Sequence, residues 1–259
     1  IATVTNVTND IGGTIGSPAS ATGKILNDEV GAFVSSVSSA TAVEGGPLKH
    51  TVTLSEATTA PTTFTYSRAD VTATGGTDYT ITPTFTTEPS GGVVTLANNG
   101  QSLTVPSGVS SFTIDFDTTV DNTDEPPAET YTVTVGGQSG TGTITDNDSA
   151  PSVSIIVSSD VLEDGTPDLT YTLALTRASA VSTSVTVALS GTATEGTDYA
   201  TLATKIFTIA AGSLTTTFVV NPTRDSTGEP DETVIATVTN VTNDIGGTIG
   251  SPASATGKI

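Results

Sequence analysis

The chain has 259 residues, enough for one large domain or two ordinary ones, and carries 27 Asp and Glu against 7 Lys and Arg, a formal net charge of -20. That balance argues against nucleic acid as a partner, because phosphates require a basic surface; it disfavours anionic membranes and makes divalent cations the natural counterions. With no Cys, Met or Trp, a thiol nucleophile, a disulfide framework and a Cys-based zinc site are excluded.

The first segment, Ile1 to Ile25, reads IATVTNVTNDIGGTIGSPASATGKI, and Ile235 to Ile259 repeats it without a change. Agreement over 25 positions marks a window on a tandem array with a period of 234 residues. Residues 1–29 are therefore expected to be the last two strands of a preceding repeat. Beyond them, short alternating segments dominate: His50 to Leu54, Ser111 to Phe116, Leu169 to Leu175 and Thr217 to Val220. Most put apolar residues on one face, the period-2 pattern of a strand with one dry side. Gly, Pro, Asn and Asp separate them, and Gly pairs such as Gly45-Gly46 and Gly246-Gly247 read as turns. No helical periodicity stands out. No apolar run reaches 18 residues, so membrane insertion is not expected.

The two halves of the period share one register. Glu44 lies 34 residues before Asp78, and Glu163 lies 35 before Asp198. Gly108 to Asp121 and Gly212 to Asp225 are both 13. Asp121-Asn122-Thr123-Asp124-Glu125-Pro126 then matches Asp225-Ser226-Thr227-Gly228-Glu229-Pro230. The first half carries a 16-residue insertion around Glu88 to Gly100, expected to form an added hairpin; the second has the longer final loop, Asn240 to Gly257. The predicted organisation is 1–29, a strand fragment; 30–148, a sandwich with an inserted hairpin near 88–100; and 149–259, a second sandwich whose closing acidic triplet falls beyond the window.

These residues resemble the Calx-β repeat family. Gly191-Thr192-Ala193-Thr194-Glu195-Gly196-Thr197-Asp198-Tyr199 is similar to its GTAxxGxDY segment, Ala73 to Tyr79 matches the later part, and Glu125-Pro126 and Glu229-Pro230 stand at its EP positions. The resemblance implies an all-β chain of two tandem immunoglobulin-like (Calx-β-like) antiparallel sandwiches, with Ca²⁺ held by loops at one end of each. It further implies the repeat region of a large bacterial-type adhesin or extracellular fibre protein. The ligands carried over are Glu44, Asp78, Asp121, Asp124, Glu125, Glu129, Asp146 and Asp148 in the first half. In the second they are Glu163, Asp198, Asp225, Glu229 and Glu232. The copied triplet Asn27-Asp28-Glu29 offers Asp28 and Glu29 to the preceding unit. Two departures weaken the second set: Arg224 brings a cation beside it, and Gly228 replaces the acid at Asp124.

The physical logic is independent of the resemblance. Ca²⁺ takes 6–8 oxygen ligands, and carboxylates on loops gathered at one end of a sandwich repel one another unless a cation sits among them. The expected function is a calcium-stiffened structural spacer, extracellular and at the cell surface. Its partners would be neighbouring repeats, with a cell-surface or matrix ligand elsewhere in the full protein. Two rivals stand: a filament subunit joined by strand donation, and a ligand-binding module using the inserted or final loop. No catalytic constellation is visible, so an enzyme is not expected. His50, the lone histidine, reads as a partly buried residue at a strand end. Tyr79 and Tyr199, directly after the key aspartates, read as anchors at the core edge. Asn6, Asn147 and Asn240 head N-glycosylation sequons.

Overall fold

The computed structural model describes residues 2–5, 14–17, 20–22, 31–88, 92–163 and 166–259. The alternating segments become strands, in chain order β1 (Ala2–Thr3), β2 (Ser20–Ala21), β3 (Val34–Val37), β4 (Ala40–Val43), β5 (Pro47–Leu54), β6 (Thr62–Asp70) and β7 (Thr84–Glu88). There follow β8 (Thr95–Ala97), β9 (Ser102–Val105), β10 (Ser111–Asp117), β11 (Glu129–Val135) and β12 (Gln138–Thr145). The second half supplies β13 (Ser152–Val157), β14 (Leu169–Leu175), β15 (Thr183–Gly191), β16 (Ile206–Ile209), β17 (Thr215–Val220), β18 (Thr233–Thr242), β19 (Thr248–Ile249) and β20 (Ser254–Lys258).

Two tandem sandwiches result. In the first, β3-β5-β10-β7 faces β4-β12-β11-β6-β9-β8; in the second, β17-β14-β13-β19 faces β16-β15-β18-β20. Pairing is antiparallel except at β4 with β12 and β13 with β19. The pleat explains each core. In β5, Leu48, His50, Val52 and Leu54 point inward while Pro47, Lys49, Thr51 and Thr53 face water. Leu48, Val52 and Ile114 from one sheet meet Leu103, Tyr131 and Val133 from the other in one buried cluster. The second core gathers Ile155, Tyr171, Leu173, Val185, Phe218 and Val234 in the same way.

Between Tyr79 and Ser102 the first sandwich gains β7 and β8, which have no counterpart between Tyr199 and Ile206. β7 pairs with β10, and β8 pairs with β9 through a turn at Asn98, Asn99 and Gly100, all at positive φ, where Asn and Gly are tolerated. The added length widens both sheets by one edge strand each, a wider distribution than a hairpin confined to 88–100; residues 89–91 of that segment lie outside the described set.

The duplicated string pairs the same way twice. Ala2 faces Ala21 and Thr3 faces Ser20 in β1–β2; Ala236 faces Ala255 and Thr237 faces Ser254 in β18–β20. The surroundings differ: Ala236 is fully buried, whereas Ala2 and Ala21 are exposed.

His50 corrects the sequence expectation. It sits inside β5 and is fully buried, not at a strand end. Its polar needs are met: Nδ1–H donates to the Ser38 carbonyl at 2.8 Å, and Nε2 accepts from the Tyr131 hydroxyl at 3.0 Å. Burial lowers its pKa below the usual histidine value. A histidine with a depressed folded-state pKa contributes stability above its ordinary value near 6.5, and this is lost as pH falls through the folded value. The first sandwich should therefore lose melting temperature between pH 6.5 and 5 relative to a His50→Gln variant. Parallel melting curves for the two proteins would remove the histidine as the cause.

Candidate metal centre

Local hydrogen bonding places each acid. Glu44 follows β4 in a turn that needs positive φ at Gly45, and its amide donates to the Thr145 carbonyl at 3.1 Å. Asp78 closes the turn that starts at Thr74: its carboxylate accepts from the Thr74 amide at 2.5 Å and its amide donates to the Thr74 carbonyl at 2.9 Å. Asp198 repeats both contacts with Thr194, at 2.6 and 3.0 Å. The Asp78 carbonyl accepts from Thr119 and the Asp198 carbonyl from Thr223, each at 2.9 Å, which draws the next acidic loop alongside. In that loop Asp121 caps the Thr123 amide at 2.7 Å and Asp225 caps the Thr227 amide at 2.6 Å.

Among the described residues, four groups form at the ends of the two sandwiches. Carboxylate oxygens of Glu44, Asp121 and Asp148 lie within 4.8 Å of one another, as do those of Asp78, Glu125 and Glu129. The second sandwich repeats this with Glu163, Asp225 and Glu229, and with Asp198, Glu229 and Glu232. Asp124 and Asp146 stand outside the groups. Asp146 braces the loops, accepting from the Glu125 amide at 3.0 Å and the Asp148 amide at 2.7 Å. Asp124 turns toward the second sandwich, where it is 3% exposed. Asp28 and Glu29 lie outside the described residues. Asn147, head of a sequon, spends its side-chain amide on the Glu44 carbonyl at 3.3 Å; Arg224 is exposed.

The first site is also the joint between the sandwiches. The Asp124 amide donates to the Ala178 carbonyl at 3.1 Å, and its carbonyl accepts from the Ala180 amide at 2.9 Å. Arg177 ion-pairs with Asp148. A cleft there is lined by Asp124, Asp146 and Asp148 and, from the second sandwich, Asp244. Sequence reasoning missed Arg177 and Asp244. Both lie in loops of the other sandwich, and spacing within one repeat carries no signal of a contact between repeats.

The electrostatics are those of crowded acids. Burial, then Asp146 and Asp121, push Glu44 up to about 7. Burial, then Glu129 and Asp78, push Glu125 up to about 8, and burial, then Asp78, take Glu129 to about 7. Asp124 is raised mainly by burial, and Glu229 and Glu232 also rise in the second sandwich. Buried carboxylate oxygens of Glu44, Asp124 and Asp148 have no hydrogen-bond partner. Orphaned buried oxygens carry a desolvation cost that a cation among them would remove. All the donors are hard oxygens, which suits Ca²⁺ or Mg²⁺ and not the softer transition metals. The residues at the joint therefore fit calcium. The second end keeps the counterparts of Glu44, Asp78, Asp121, Glu125 and Glu129 but has Gly228 in place of Asp124, and it shows no orphaned buried oxygen among the described residues.

No family model matches the sequence, and no curated protein matches it either. Among solved structures, the chain is similar to the crystal structure of CBD12 from CALX1.2, at 14% identity over 86% of this chain and 82% of that one, with a TM-score of 0.34. The crystal structure of calcium binding domain CBD12 of CALX1.1 is similar at 14% identity over 89% and 100%, with a TM-score of 0.35. A marsupial T cell receptor is similar at 10% identity over 88% and 99%, with a TM-score of 0.21.

Proposed function

We propose that the chain is a calcium-stiffened structural spacer from the tandem-repeat region of an extracellular adhesin or surface fibre. Its units would be 1–29, 30–148 and 149–259. The observation that carries this reading is the coincidence of the first acidic site with the joint: Asp124 and Asp148 belong to the crowded loops and also touch the second sandwich. Calcium held by Glu44, Asp121 and Asp148, and by Asp78, Glu125 and Glu129, would supply positive charge where these carboxylates repel. A cation shared by loops and linker limits hinge motion, which is otherwise the default between small domains. The chain would work with neighbouring repeats and with a cell-surface or matrix ligand elsewhere in the full protein. It would have no enzymatic role.

Calorimetric titration of the full chain with calcium tests this. The expected result is binding at the ~10⁻⁴–10⁻³ M level typical of extracellular modules, stronger at the joint than at the far end. Glu125→Gln should weaken the tighter component; absence of heat and of any rise in melting temperature would end the calcium reading.

Strand donation is a second reading, favoured by the exposure of Ala2 in β1 beside its fully buried twin Ala236. The mass of the mature protein under denaturing conditions separates the two: a single short subunit supports donation, and a multiple of the 234-residue period supports the continuous array.

A further inference from the structure

The edge that receives Asp124 is the loop after β14. Its first-sandwich counterpart is the loop after β5, and backbone contacts fix the equivalence. The Thr176 amide donates to the Ser152 carbonyl at 3.0 Å, as the Ser55 amide does to the Phe33 carbonyl at 2.8 Å. The Gly212 amide donates to the Ser179 carbonyl at 2.9 Å, as the Gly108 amide does to the Thr58 carbonyl at 2.6 Å. Thr58 thus stands for Ser179, Ala57 for Ala178, Thr59 for Ala180, and Glu56 for Arg177.

In the second sandwich this edge is occupied. In the first, Ala57 and Thr59 are exposed, and among the described residues the Ala57 carbonyl and Thr59 amide have no partner. Chain length also agrees. Ser152 follows Ile144 by eight positions, Phe33 follows Ile25 by eight, and Ile25 is the twin of Ile259. The loop that would approach is Thr227 to Glu229, since Gly228 stands where Asp124 does.

We infer that the acidic end of the second sandwich docks, through the backbone at Gly228, on the Ala57–Thr59 edge of the next copy, and that the two kinds of joint alternate in charge. This rests on the tandem-array reading above. Its chemistry is set by one position. In the observed joint the receiving edge offers Arg177, which pairs with an acid of the site. In the other joint it offers Glu56, an additional carboxylate facing Glu163, Asp225 and Glu229. The first joint carries its own cation; the second gathers only like charge and closes when a divalent cation is supplied. A spacer built this way has, in every period, one joint already closed by an ion pair, which calcium stiffens further, and one that closes only with calcium.

The test uses the chain extended after Ile259 by residues 26–259, so that both joints are present. The absence of cysteine lets a spin-label pair be introduced across each joint in turn, with distances read by double electron–electron resonance. In EDTA the distribution across the second joint should be at least roughly twofold wider than across the first, as expected of small domains without a closed interface. Millimolar calcium should narrow it. Glu56→Arg should narrow it in EDTA, and Arg177→Glu should widen the first joint. Equal widths in EDTA, or no response to Glu56→Arg, would overturn the inference. A second joint that ignores calcium but narrows with Glu56→Arg supports the docking edge and its charge, and removes only the calcium role proposed above.

Discussion

In a chelator, the first sandwich should melt several degrees lower at pH 8.5 than at pH 6.5. Its three crowded glutamates, Glu44, Glu125 and Glu129, have folded-state pKa values pushed up to about 7, 8 and 7 from an ordinary 4.5. A carboxyl whose folded pKa is raised contributes stability that is fully present below its unfolded value and is lost as pH rises through the folded value. The loss therefore begins near the ordinary value of 4.5 and ends once pH passes the folded values, so its last part falls between pH 6.5 and 8.5. His50 acts in the opposite sense, but only below its ordinary value near 6.5, outside this window. The three side chains are half-open to solvent, so screening cuts each contribution to the scale of surface pairs, and the sum is about 1 kcal/mol. For a domain of this size that is a fall of roughly 4 °C. Under the calcium reading proposed above, the metal should reverse the trend, because the ionised form that repels itself is also the form that binds metal. Glu125→Gln should raise the melting temperature in chelator at pH 8.5 and shrink the increment from calcium. Scanning calorimetry of the full chain at the two pH values, with EDTA and with calcium, reads all four quantities. Equal melting temperatures in chelator would show that neither burial nor crowding raises these carboxyls.

The fold was legible because its signals are local. Period-2 alternation in Ser111 to Phe116 and Leu169 to Leu175 is the pleat itself, and the matched spacings from Gly108 to Asp121 and Gly212 to Asp225 place the same loops at the same ends of two sandwiches. The acids were legible as a set for the same reason. Which of them meet was not. Asp124 and Asp121 are three apart in one loop, yet Asp121 joins Glu44 and Asp148 while Asp124 pairs its backbone with Ala178 and Ala180. Side-chain direction in an irregular loop follows from its hydrogen bonds, and composition does not encode it. Arg177 was invisible for another reason: its partner is 29 residues away in a different sandwich, so no pattern within either repeat points to it. The burial of His50 was missed because histidine in phase with Val52 and Leu54 can lie inside or at an edge. Its two polar partners, Ser38 and Tyr131, come from distant segments.

Replacing Tyr79 should couple the core to the site more strongly than any change among the acids. Tyr79 is fully buried, stacks on Tyr131 at 4.1 Å between ring centroids, and meets Phe116 edge-on at 5.8 Å. It follows Asp78 in the chain, and Tyr131 lies two residues after Glu129, so one aromatic stack positions two of the three acids in the Asp78, Glu125 and Glu129 group. The stack exists because Gly142 has no side chain: a Cβ there would run into the Tyr131 ring. Tyr79→Ala removes the ring and leaves a cavity, at a cost of about 3–5 kcal/mol, so the melting temperature should fall by more than 10 °C. Tyr79→Phe keeps the ring and loses the hydroxyl's two part-buried bonds, one donated to Asp70 at 2.5 Å and one accepted from Arg68, for about 1–3 kcal/mol. If the stack sets the direction of Asp78, then Tyr79→Ala weakens calcium binding at temperatures where the variant is still folded, while Tyr79→Phe leaves it unchanged. Tyr199→Ala, the equivalent change in the second sandwich, should spare the binding component assigned to the joint. Calcium affinity unaltered in folded Tyr79→Ala would mean that the turn from Thr74 to Asp78 holds its carboxylate through backbone contacts alone, and that core and site are mechanically separate.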